Sequence, residues 1–277
     1  MSVGTAGNAV CDALANRVAG GADLVVLREG QGRSDAFAAR FPDRVIDLPM
    51  SDRAMVGLGL GLGAAGRQVV CELSDASRLA PVLDALIEAG AVARASEHGL
   101  SLVVRAPWGA GGHVVSLDTV AGAVPVAFAA GPDQAAALLA AAWVAGPWVL
   151  LEGPRAEGPI SAAPRLLREG GHVLIVAFGA EIGIALDAAA RLAGEGIEVA
   201  VLDPVWISPL PAEVGARLRR CGRIVVVTPS GETDLGRRIC RAGLDQAFLY
   251  LEAPLRVVCR SEGVEGIAAA CRASALY

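Results

Sequence analysis

The fold is decided by residues 41–90, which read FPDRVIDLPMSDRAMVGLGLGLGAAGRQVVCELSDASRLAPVLDALIEAG. Residues 44–48 predict a short apolar strand that ends before a proline, and residues 53–65 continue as a glycine-rich helix without a proline. Ser51 and Asp52 stand where the N-cap of that helix is expected. The pattern therefore places a carboxylate at a strand-to-helix turn.

Strand and helix patterns alternate on both sides of this segment. Helices are predicted at 3–18, 79–93 and 132–144, and strands at 24–27, 67–73, 102–104, 124–128 and 149–151. The strands are almost continuously apolar, which is typical of parallel strands that are buried on both faces. We therefore expect an α/β fold with a parallel sheet covered by helices.

A second run of α/β elements follows a break in the pattern. Residues 154–171 are rich in glycine, proline and charge, so they predict a linker between a first domain, 1–153, and a second, 172–277. In the second domain the pattern predicts helices at 181–193, 211–220 and 233–242 and strands at 173–178, 198–202, 224–228 and 255–259. We expect a smaller α/β domain there.

Composition and charge argue against several classes of protein. Hydrophobic residues make up 54% of the 277-residue chain, which is ample for two buried cores. The formal net charge is −5 and no basic run occurs, so nucleic acid is not an expected partner. The longest apolar run, 135–151, is shorter than the ~20 residues of a membrane helix. The start lacks the pattern of a secretory signal, which predicts a cytoplasmic location.

Six cysteines are scattered along the chain without a C-x-x-C pair: Cys11, Cys71, Cys221, Cys240, Cys259 and Cys271. Most of them lie within apolar strands or helices, which predicts buried free thiols. A metal site or a disulfide framework is the alternative, although neither the spacing nor a cytoplasmic compartment favours it.

Four segments, in order along the chain, resemble one family. Besides residues 41–90, they are 102–116 (LVVRAPWGAGGHVVS), 173–210 (VLIVAFGAEIGIALDAAARLAGEGIEVAVLDPVWISPL) and 223–258, which begins RIVVVTPSGETDLG and ends LEAPLRVV. The chain resembles thiamine diphosphate enzymes of the transketolase superfamily, in particular the beta subunit of 2-oxo acid dehydrogenases such as pyruvate dehydrogenase and the C-terminal half of transketolase. The resemblance implies a pyrimidine-binding-type domain, followed by a transketolase C-terminal-type domain whose usual role is assembly.

The resemblance implies that Asp52 is both catalytic and cofactor-binding. At this position the family has a glutamate that hydrogen-bonds a ring nitrogen of the cofactor's aminopyrimidine. Aspartate keeps the carboxylate but reaches roughly 1.5 Å less far. The alternative is a helix cap alone, typically worth ~1 kcal/mol. Glu29, which resembles an acidic residue near the same loop, and Asp75 are the other expected cofactor-binding residues. The alternative for Glu29 is a solvated loop residue.

His113 is the second expected catalytic residue. It lies in WGAGGHVVS, residues 108–116, and the family carries a histidine followed closely by a serine on this loop. An imidazole with a pKa near ~6.5 can donate or accept a proton at neutral pH, as carbonyl chemistry requires. The alternative is a hydrogen-bonded surface histidine. His98 and His172 lie in polar segments and are expected to be structural.

The chain departs from the family after Glu72. There the family places aromatic residues as a shelf under the cofactor's pyrimidine ring, whereas residues 73–78 read LSDASR. Stacking on an aromatic face contributes on the order of 1 kcal/mol, so this loss is expected to weaken cofactor binding. The loop before His113 and the end of the chain are shorter than in the family, which is expected to reduce subunit contacts. The glycine-rich segments match no phosphate-binding or dinucleotide fingerprint.

No G-D-G motif occurs in the chain, whereas the family uses that motif, on a separate domain, to hold the diphosphate and Mg²⁺. The resemblance therefore implies an alpha-type partner that supplies this domain, in an α2β2 assembly with active sites at the interfaces. No metal ligand is expected in this chain.

The leading interpretation is a beta-like subunit of a two-component thiamine diphosphate enzyme. It forms and transfers an acyl or ketol unit from a 2-oxo acid or ketose, with a lipoyl arm or a carrier protein among the acceptors. The altered signature residues favour a specialised, biosynthetic role. The alternative is a degenerate, non-catalytic beta-like subunit that stabilises an alpha-type partner. A stand-alone homodimeric lyase or transferase is disfavoured because the diphosphate domain is absent.

Overall fold

The structure is a computed structural model that describes residues 6–30, 32–49, 51–95, 99–108, 117–141, 143, 146–154, 158–229 and 234–277. It divides the chain into unit 1, Met1–Pro154, and unit 2, Arg155–Tyr277. The domain limits at 153 and 172 stay predictions.

Unit 1 alternates strands and helices, and its described elements are α1 (Ala6–Ala19), β1 (Leu24–Arg28), α2 (Asp35–Arg40), β2 (Val45–Asp47), α3 (Asp52–Ala64), β3 (Gln68–Glu72), α4 (Leu83–Ala95), β4 (Leu102–Pro107), α5 (Leu117–Ala123), β5 (Val126–Ala130), α6 (Pro132–Ala141) and β6 (Trp148–Gly153). The strands lie in the order β5-β6-β4-β3-β1-β2 and every pair is parallel. All residues of β1 and β5 are buried. The predicted parallel α/β fold is therefore confirmed.

Two glycines let α3 lie close to the sheet. A Cβ atom at Gly59 would come 2.7 Å from Sγ of Cys71, and one at Gly63 would come 2.7 Å from Cδ1 of Leu100. Gly59 and Gly63 are one helical turn apart, so both face the sheet. The glycine-rich sequence of α3 therefore serves close packing, which positions the start of the helix at the edge of the sheet.

The structure changes three predictions in unit 1. The helix expected at 79–93 begins as a 3-10 helix, Ala76–Val82, and becomes α4 only at Leu83. Pro81 lies inside the 3-10 helix, and its missing N–H prevents regular α-helical hydrogen bonding there. The helices α2 and α5 were not predicted, because six and seven residues carry little periodicity.

Unit 2 contains β7 (Arg165–Arg168), β8 (Val173–Val176), α7 (Glu181–Ala193), β9 (Val199–Asp203), β10 (Trp206–Ser208), α8 (Ala212–Cys221), β11 (Ile224–Thr228), α9 (Asp234–Ala247), β12 (Arg256–Cys259) and α10 (Gly263–Ala275). Its sheet has the order β12-β11-β8-β9-β7, in which β7 is antiparallel to β9 and the other pairs are parallel. The second α/β domain is confirmed, and α7 and β11 have the predicted bounds.

Two elements of unit 2 correct the sequence interpretation. The segment expected to be an unstructured linker, 154–171, contains the edge strand β7. Arg165, its first residue, is 4% exposed and its Nη2 lies 2.5 Å from Oδ2 of Asp203. Because charges interrupt the apolar pattern, β7 was missed. Helix α10 was missed because Gly263 and Gly266 lower the helix propensity at its start.

All six cysteines are free thiols, and four of them are buried: Cys11, Cys71, Cys259 and Cys271. Burial raises the pKa of the Cys271 thiol to about 12. The predicted free thiols are therefore confirmed. Among the described residues, no helix is both long and apolar enough to cross a membrane.

Candidate functional site

The residues expected at the site follow neighbouring strands of unit 1. Glu29 follows β1, Asp52 follows β2 and Asp75 follows β3, and these strands are adjacent in the order β3-β1-β2. Since the strands are parallel, all three residues lie at the carboxyl edge of the sheet. Strand order changes direction at β1, with β2 on one side and β3 on the other. Such switch points are where open α/β sheets bind ligands.

His113 and His98 lie outside the described residues. His113 follows β4, which is the neighbour of β3, and its catalytic role stays a prediction. His172 is described, and its Nδ1 accepts a hydrogen bond of 2.8 Å from the backbone N–H of Glu198. This contact gives His172 a structural role within unit 2.

Asp52 is the first residue of α3, and its side chain is not the N-cap of that helix. Ser51 is the N-cap, and its Oγ accepts a hydrogen bond of 3.3 Å from the N–H of Ala54. A serine side chain at this position satisfies one of the unpaired amides of the first turn. The capping hydrogen bond therefore does not explain why an aspartate stands at position 52.

The carboxylate of Asp52 forms an ion pair with Arg78. The Nε of Arg78 lies 2.6 Å from Oδ2 of Asp52, and Asp52 is only 6% exposed. Within the described part of the chain, Oδ1 of Asp52 has no hydrogen bond. Among the described residues, the buried carboxylate therefore has one oxygen in an ion pair and the other without a partner.

Asp75 and Glu29 differ in how far the protein already uses their carboxylates. Asp75 accepts a hydrogen bond of 2.8 Å from the N–H of Ser77 and so caps the 3-10 helix after β3. Glu29 is half-buried and forms no hydrogen bond or ion pair within the described residues. Cofactor binding by either residue stays a prediction, and Glu29 is the freer of the two.

A buried charge cluster beneath this edge was missed by the sequence analysis. Arg105 donates through Nε to Oε1 of Glu152 at 2.5 Å and through Nη1 to Oε1 of Glu72. Ser34 donates its hydroxyl proton to the same oxygen of Glu72 at 2.5 Å. Arg33 donates through Nη2 to the carbonyl of Leu73 at 3.1 Å. These contacts join the ends of β3, β4 and β6 to the loop after β1.

The electrostatics of this cluster are balanced. Burial alone would lower the pKa of Arg105, but the Glu152 and Glu72 carboxylates outweigh it and raise that pKa. Burial would raise the pKa of Glu152, but Arg105 and Arg33 lower it overall. Both charges are therefore kept in the interior. The sequence does carry a signal for the cluster, because each member of the Glu72, Arg105 and Glu152 set stands at or near the carboxyl end of an apolar strand.

Two ion pairs of Arg28 connect the ends of β1 and β2 near the site. Arg28, the last residue of β1, donates through Nε to Asp47 at 2.8 Å and through Nη1 to Asp35 at 2.6 Å. These ion pairs tie the ends of β1 and β2 to the start of α2. They hold in place the strand ends from which Glu29 and the loop before Asp52 leave the sheet.

The site offers hydrogen-bond acceptors to a ligand. Within the described part of the chain, buried Asp52 has one carboxylate oxygen without a hydrogen bond, and half-buried Glu29 has a carboxylate without a hydrogen bond or ion pair. No group of three or more His, Cys, Asp or Glu that could hold a metal ion occurs among the residues for which side chains are described. The arrangement can therefore accept a hydrogen bond from an N–H or O–H group of a ligand.

Comparisons with known proteins agree with the fold. Residues 163–275 match the model of the transketolase C-terminal domain. The chain is 28% identical to 2-oxoisovalerate dehydrogenase subunit beta 2, mitochondrial, of Arabidopsis thaliana, over 80% of this chain and 70% of that protein. It is 26% identical to the pyruvate dehydrogenase E1 component subunit beta of Rhizobium meliloti (strain 1021), over 93% of this chain and 64% of that protein.

A solved structure of a split-gene transketolase, an inactive beta4 tetramer, has the same fold. It covers 97% of both chains with a TM-score of 0.76 and 22% sequence identity. The resemblance predicted from the sequence is thereby confirmed: residues 163–275 match a transketolase C-terminal domain, and the chain is similar to beta subunits of 2-oxo acid dehydrogenases.

Proposed function

We propose that this chain is the beta-like subunit of a two-component thiamine diphosphate enzyme that forms and transfers an acyl or ketol unit from a 2-oxo acid or a ketose. The observation that carries the proposal is the buried carboxylate of Asp52, which lies at the carboxyl edge of a parallel sheet while another residue caps its helix. The names of the relatives, beta subunits of pyruvate and 2-oxoisovalerate dehydrogenases, support 2-oxo acid chemistry.

The residues of this chain fit the pyrimidine half of that cofactor. Asp52 would bind a ring nitrogen through its unbonded oxygen, Glu29 would lie beside the same loop, and His113 would donate or accept a proton on the substrate. When bound, thiamine diphosphate supplies the stabilised carbanion that attacks a carbonyl carbon. No residue of this chain is assigned to the Mg²⁺ half of the cofactor site.

We assign the diphosphate and Mg²⁺ to an alpha-type partner in an α2β2 assembly. The given sequence contains no G-D-G motif, and the relatives are named as beta subunits, which supports a second polypeptide that carries the other half of the cofactor site. The split-gene transketolase with the same fold is an inactive tetramer of beta chains, which supports a beta-like chain that lacks activity by itself. A lipoyl arm or carrier protein as acceptor, a biosynthetic role and a cytoplasmic location remain parts of this proposal.

Calorimetric titration tests the shared site. Thiamine diphosphate and Mg²⁺ are titrated into the chain alone and into a mixture with an alpha-type subunit that carries the G-D-G motif. We expect binding only in the mixture. The absence of binding by a properly formed complex would contradict the proposal.

Substitution of the site residues tests catalysis by this chain. In the complex, turnover of pyruvate and 2-oxoisovalerate with a dye as electron acceptor is expected to fall at least about 10²-fold in Asp52→Asn and in His113→Ala, the scale of a positioned acid or base. The matched control is Asp84→Asn, an exposed aspartate of α4 that pairs with Arg53, for which we expect a change of less than about twofold.

The second candidate is a non-catalytic beta-like subunit that stabilises an alpha-type partner. The observation that favours it is the ion pair with Arg78, which occupies one oxygen of Asp52. On this alternative, Asp52→Asn and His113→Ala leave the turnover of the complex within a few-fold of wild type, and loss of the chain lowers the stability of the partner.

A further inference from the structure

The ion pair between Arg78 and Asp52 has no role in the function described so far. The Nε of Arg78 lies 2.6 Å from Oδ2 of Asp52 in an ion-pair contact that lacks hydrogen-bond geometry, whereas Oδ1 has neither a hydrogen bond nor an ion pair among the described residues. The carboxylate is only 6% exposed, so its direction is set by protein contacts rather than by solvent. The position of Arg78 therefore decides which oxygen a ligand can reach.

Arg78 comes from an anchored element. The 3-10 helix Ala76–Val82 is capped by Asp75, and its residues Leu79 and Val82 are fully buried. A second ion pair, between Arg53 of α3 and Asp84 of α4, joins α3 at the surface to the helix that directly follows the 3-10 helix. The guanidinium that contacts Asp52 therefore belongs to a residue of a well-packed segment.

A guanidinium suits this task for chemical reasons. It is planar and always charged, and it holds a carboxylate in a fixed geometry, which the single rotatable ammonium of lysine does not do. Aspartate is shorter than glutamate, and hydrogen bonds weaken steeply when the acceptor is displaced. A carboxylate that must meet a ring nitrogen therefore gains from being held within about 0.5 Å of its productive position.

We propose that Arg78 is a positioning residue, which orients the Asp52 carboxylate so that Oδ1 faces an N–H donor on a nitrogen heteroaromatic ring. The inference rests on the proposed function, because that ring is the pyrimidine of the cofactor. Arg78 acts through Asp52 and makes no bond to the ring itself.

The test is a double-mutant cycle on cofactor affinity. The dissociation constant of thiamine diphosphate is measured by calorimetry, at fixed Mg²⁺, for the complex of the full chain with its alpha-type partner. We expect Arg78→Gln to weaken binding about tenfold and Arg78→Lys to weaken it by less. In the Asp52→Asn background, Arg78→Gln is expected to add less than about twofold, because Arg78 acts only through Asp52.

The matched control is Arg53→Gln, which removes the surface ion pair between α3 and α4. It is expected to leave the affinity within about twofold of wild type, since its partner Asp84 does not contact Asp52. Far-UV circular dichroism verifies the fold of each variant. If Arg78→Gln does not fold, Arg78→Lys alone and in the Asp52→Asn background completes the cycle.

The outcomes separate this inference from the proposed function. No binding by the wild-type complex overturns both. Binding that Asp52→Asn weakens and Arg78→Gln leaves within twofold overturns the role of Arg78 and leaves the proposed function standing. Additive effects of the two substitutions show that Arg78 contacts the ligand directly, which also overturns a positioning role.

Discussion

Each unit of the molecule begins a 13-residue helix with an acidic side chain, Asp52 in α3 and Glu181 in α7. Both residues are buried, at 6% and 1% exposure, and both follow the end of a parallel strand. Their environments differ. Asp52 has the Nε of Arg78 at 2.6 Å from one oxygen. Glu181 has the nearest guanidinium atom, Nη1 of Arg260, at 3.7 Å, and its Oε2 has no hydrogen bond among the described residues.

The difference teaches that the local sequence places a carboxyl group at the start of a helix but does not decide its ion pairing or its pKa. Desolvation raises the pKa of Glu181 from its ordinary value of 4.5 to about 7, and a hydrogen bond to its own backbone and the charge of Arg260 only partly oppose this effect. The buried acids Glu72 and Glu152 of unit 1 differ from Glu181, because both form ion pairs with Arg105. In unit 1 buried carboxylates have arginine partners, whereas unit 2 leaves one almost unpaired.

The largest expected effect comes from removing the arginine that pairs the acids of unit 1. Arg105→Met leaves Glu72 and Glu152 buried without a full partner, which is expected to cost about 3 to 5 kcal/mol of unfolding free energy. Urea unfolding, followed by hydrogen exchange in peptides of β4, measures the loss. The control Arg40→Met breaks an exposed pair with Asp12 and should cost less than about 1 kcal/mol. Equal losses in both variants would show that the buried ion pairs of Arg105 stabilise unit 1 no more than an exposed pair does, and the contrast with Glu181 would lose its basis.

The next effect is the pH dependence of unit 2. Between pH 4.5 and about 7 the folded state binds more protons at Glu181 than the unfolded state does, so stability falls as pH rises through this window. Glu181→Gln removes the titration. From pH 5 to pH 8 the variant should gain on the order of 2 kcal/mol relative to wild type in urea unfolding.

A matched variant tests the source of this pH effect. Glu213→Gln changes an exposed acid in the first turn of α8. We expect the difference in unfolding free energy between this variant and wild type to stay constant with pH. A constant difference for Glu181→Gln as well would mean that Glu181 is not an unpaired buried acid, and the comparison with Asp52 would fail.

The smallest effect concerns how the two helices start. Ser51 caps α3 with its hydroxyl, whereas Ala180, the N-cap of α7, has no side-chain cap. Ser51→Ala should therefore lower the unfolding free energy by about 1 kcal/mol. Ser77→Ala, which removes an exposed hydroxyl without a hydrogen bond in the described structure, should change it by less than about 0.5 kcal/mol. A loss in Ser51→Ala no larger than in this control would show that the capping bond is not needed.

The prediction of the fold succeeded where periodicity was long and uninterrupted. The helix α7 and the strand β11 were predicted with their observed bounds, because amphipathic helices and continuous apolar runs leave a strong pattern. It failed where elements are short, as in α2, or where charges interrupt a strand, as in β7. The 3-10 helix before α4 was also missed. Its signal is Pro81, which interrupts the helical pattern because proline has no backbone N–H.

The sequence predicted where the candidate site residues lie in the fold but not their contacts, and their roles stay predictions. The sequence placed Asp52 at a strand-to-helix turn and Glu29 and Asp75 after strands, and the structure has them at one edge of one sheet. It did not predict that Ser51 alone makes the capping bond or that Arg78 pairs with Asp52. It also overlooked Arg105, whose partners lie 33 and 47 residues away.

By itself, the sequence determined the alternation of strands and helices, the parallel sheets and the placement of acids at strand ends, because hydrophobic periodicity and turn residues act over a few neighbouring positions. Only the tertiary structure decided which of those acids is paired, which is raised in pKa and which has an oxygen free for a ligand. The physical reason is that the desolvation and ion pairing of a carboxylate depend on atoms that packing brings from distant parts of the chain. Asp52 and Glu181 occupy the same local position, and the arginine that folding delivers to each makes them different.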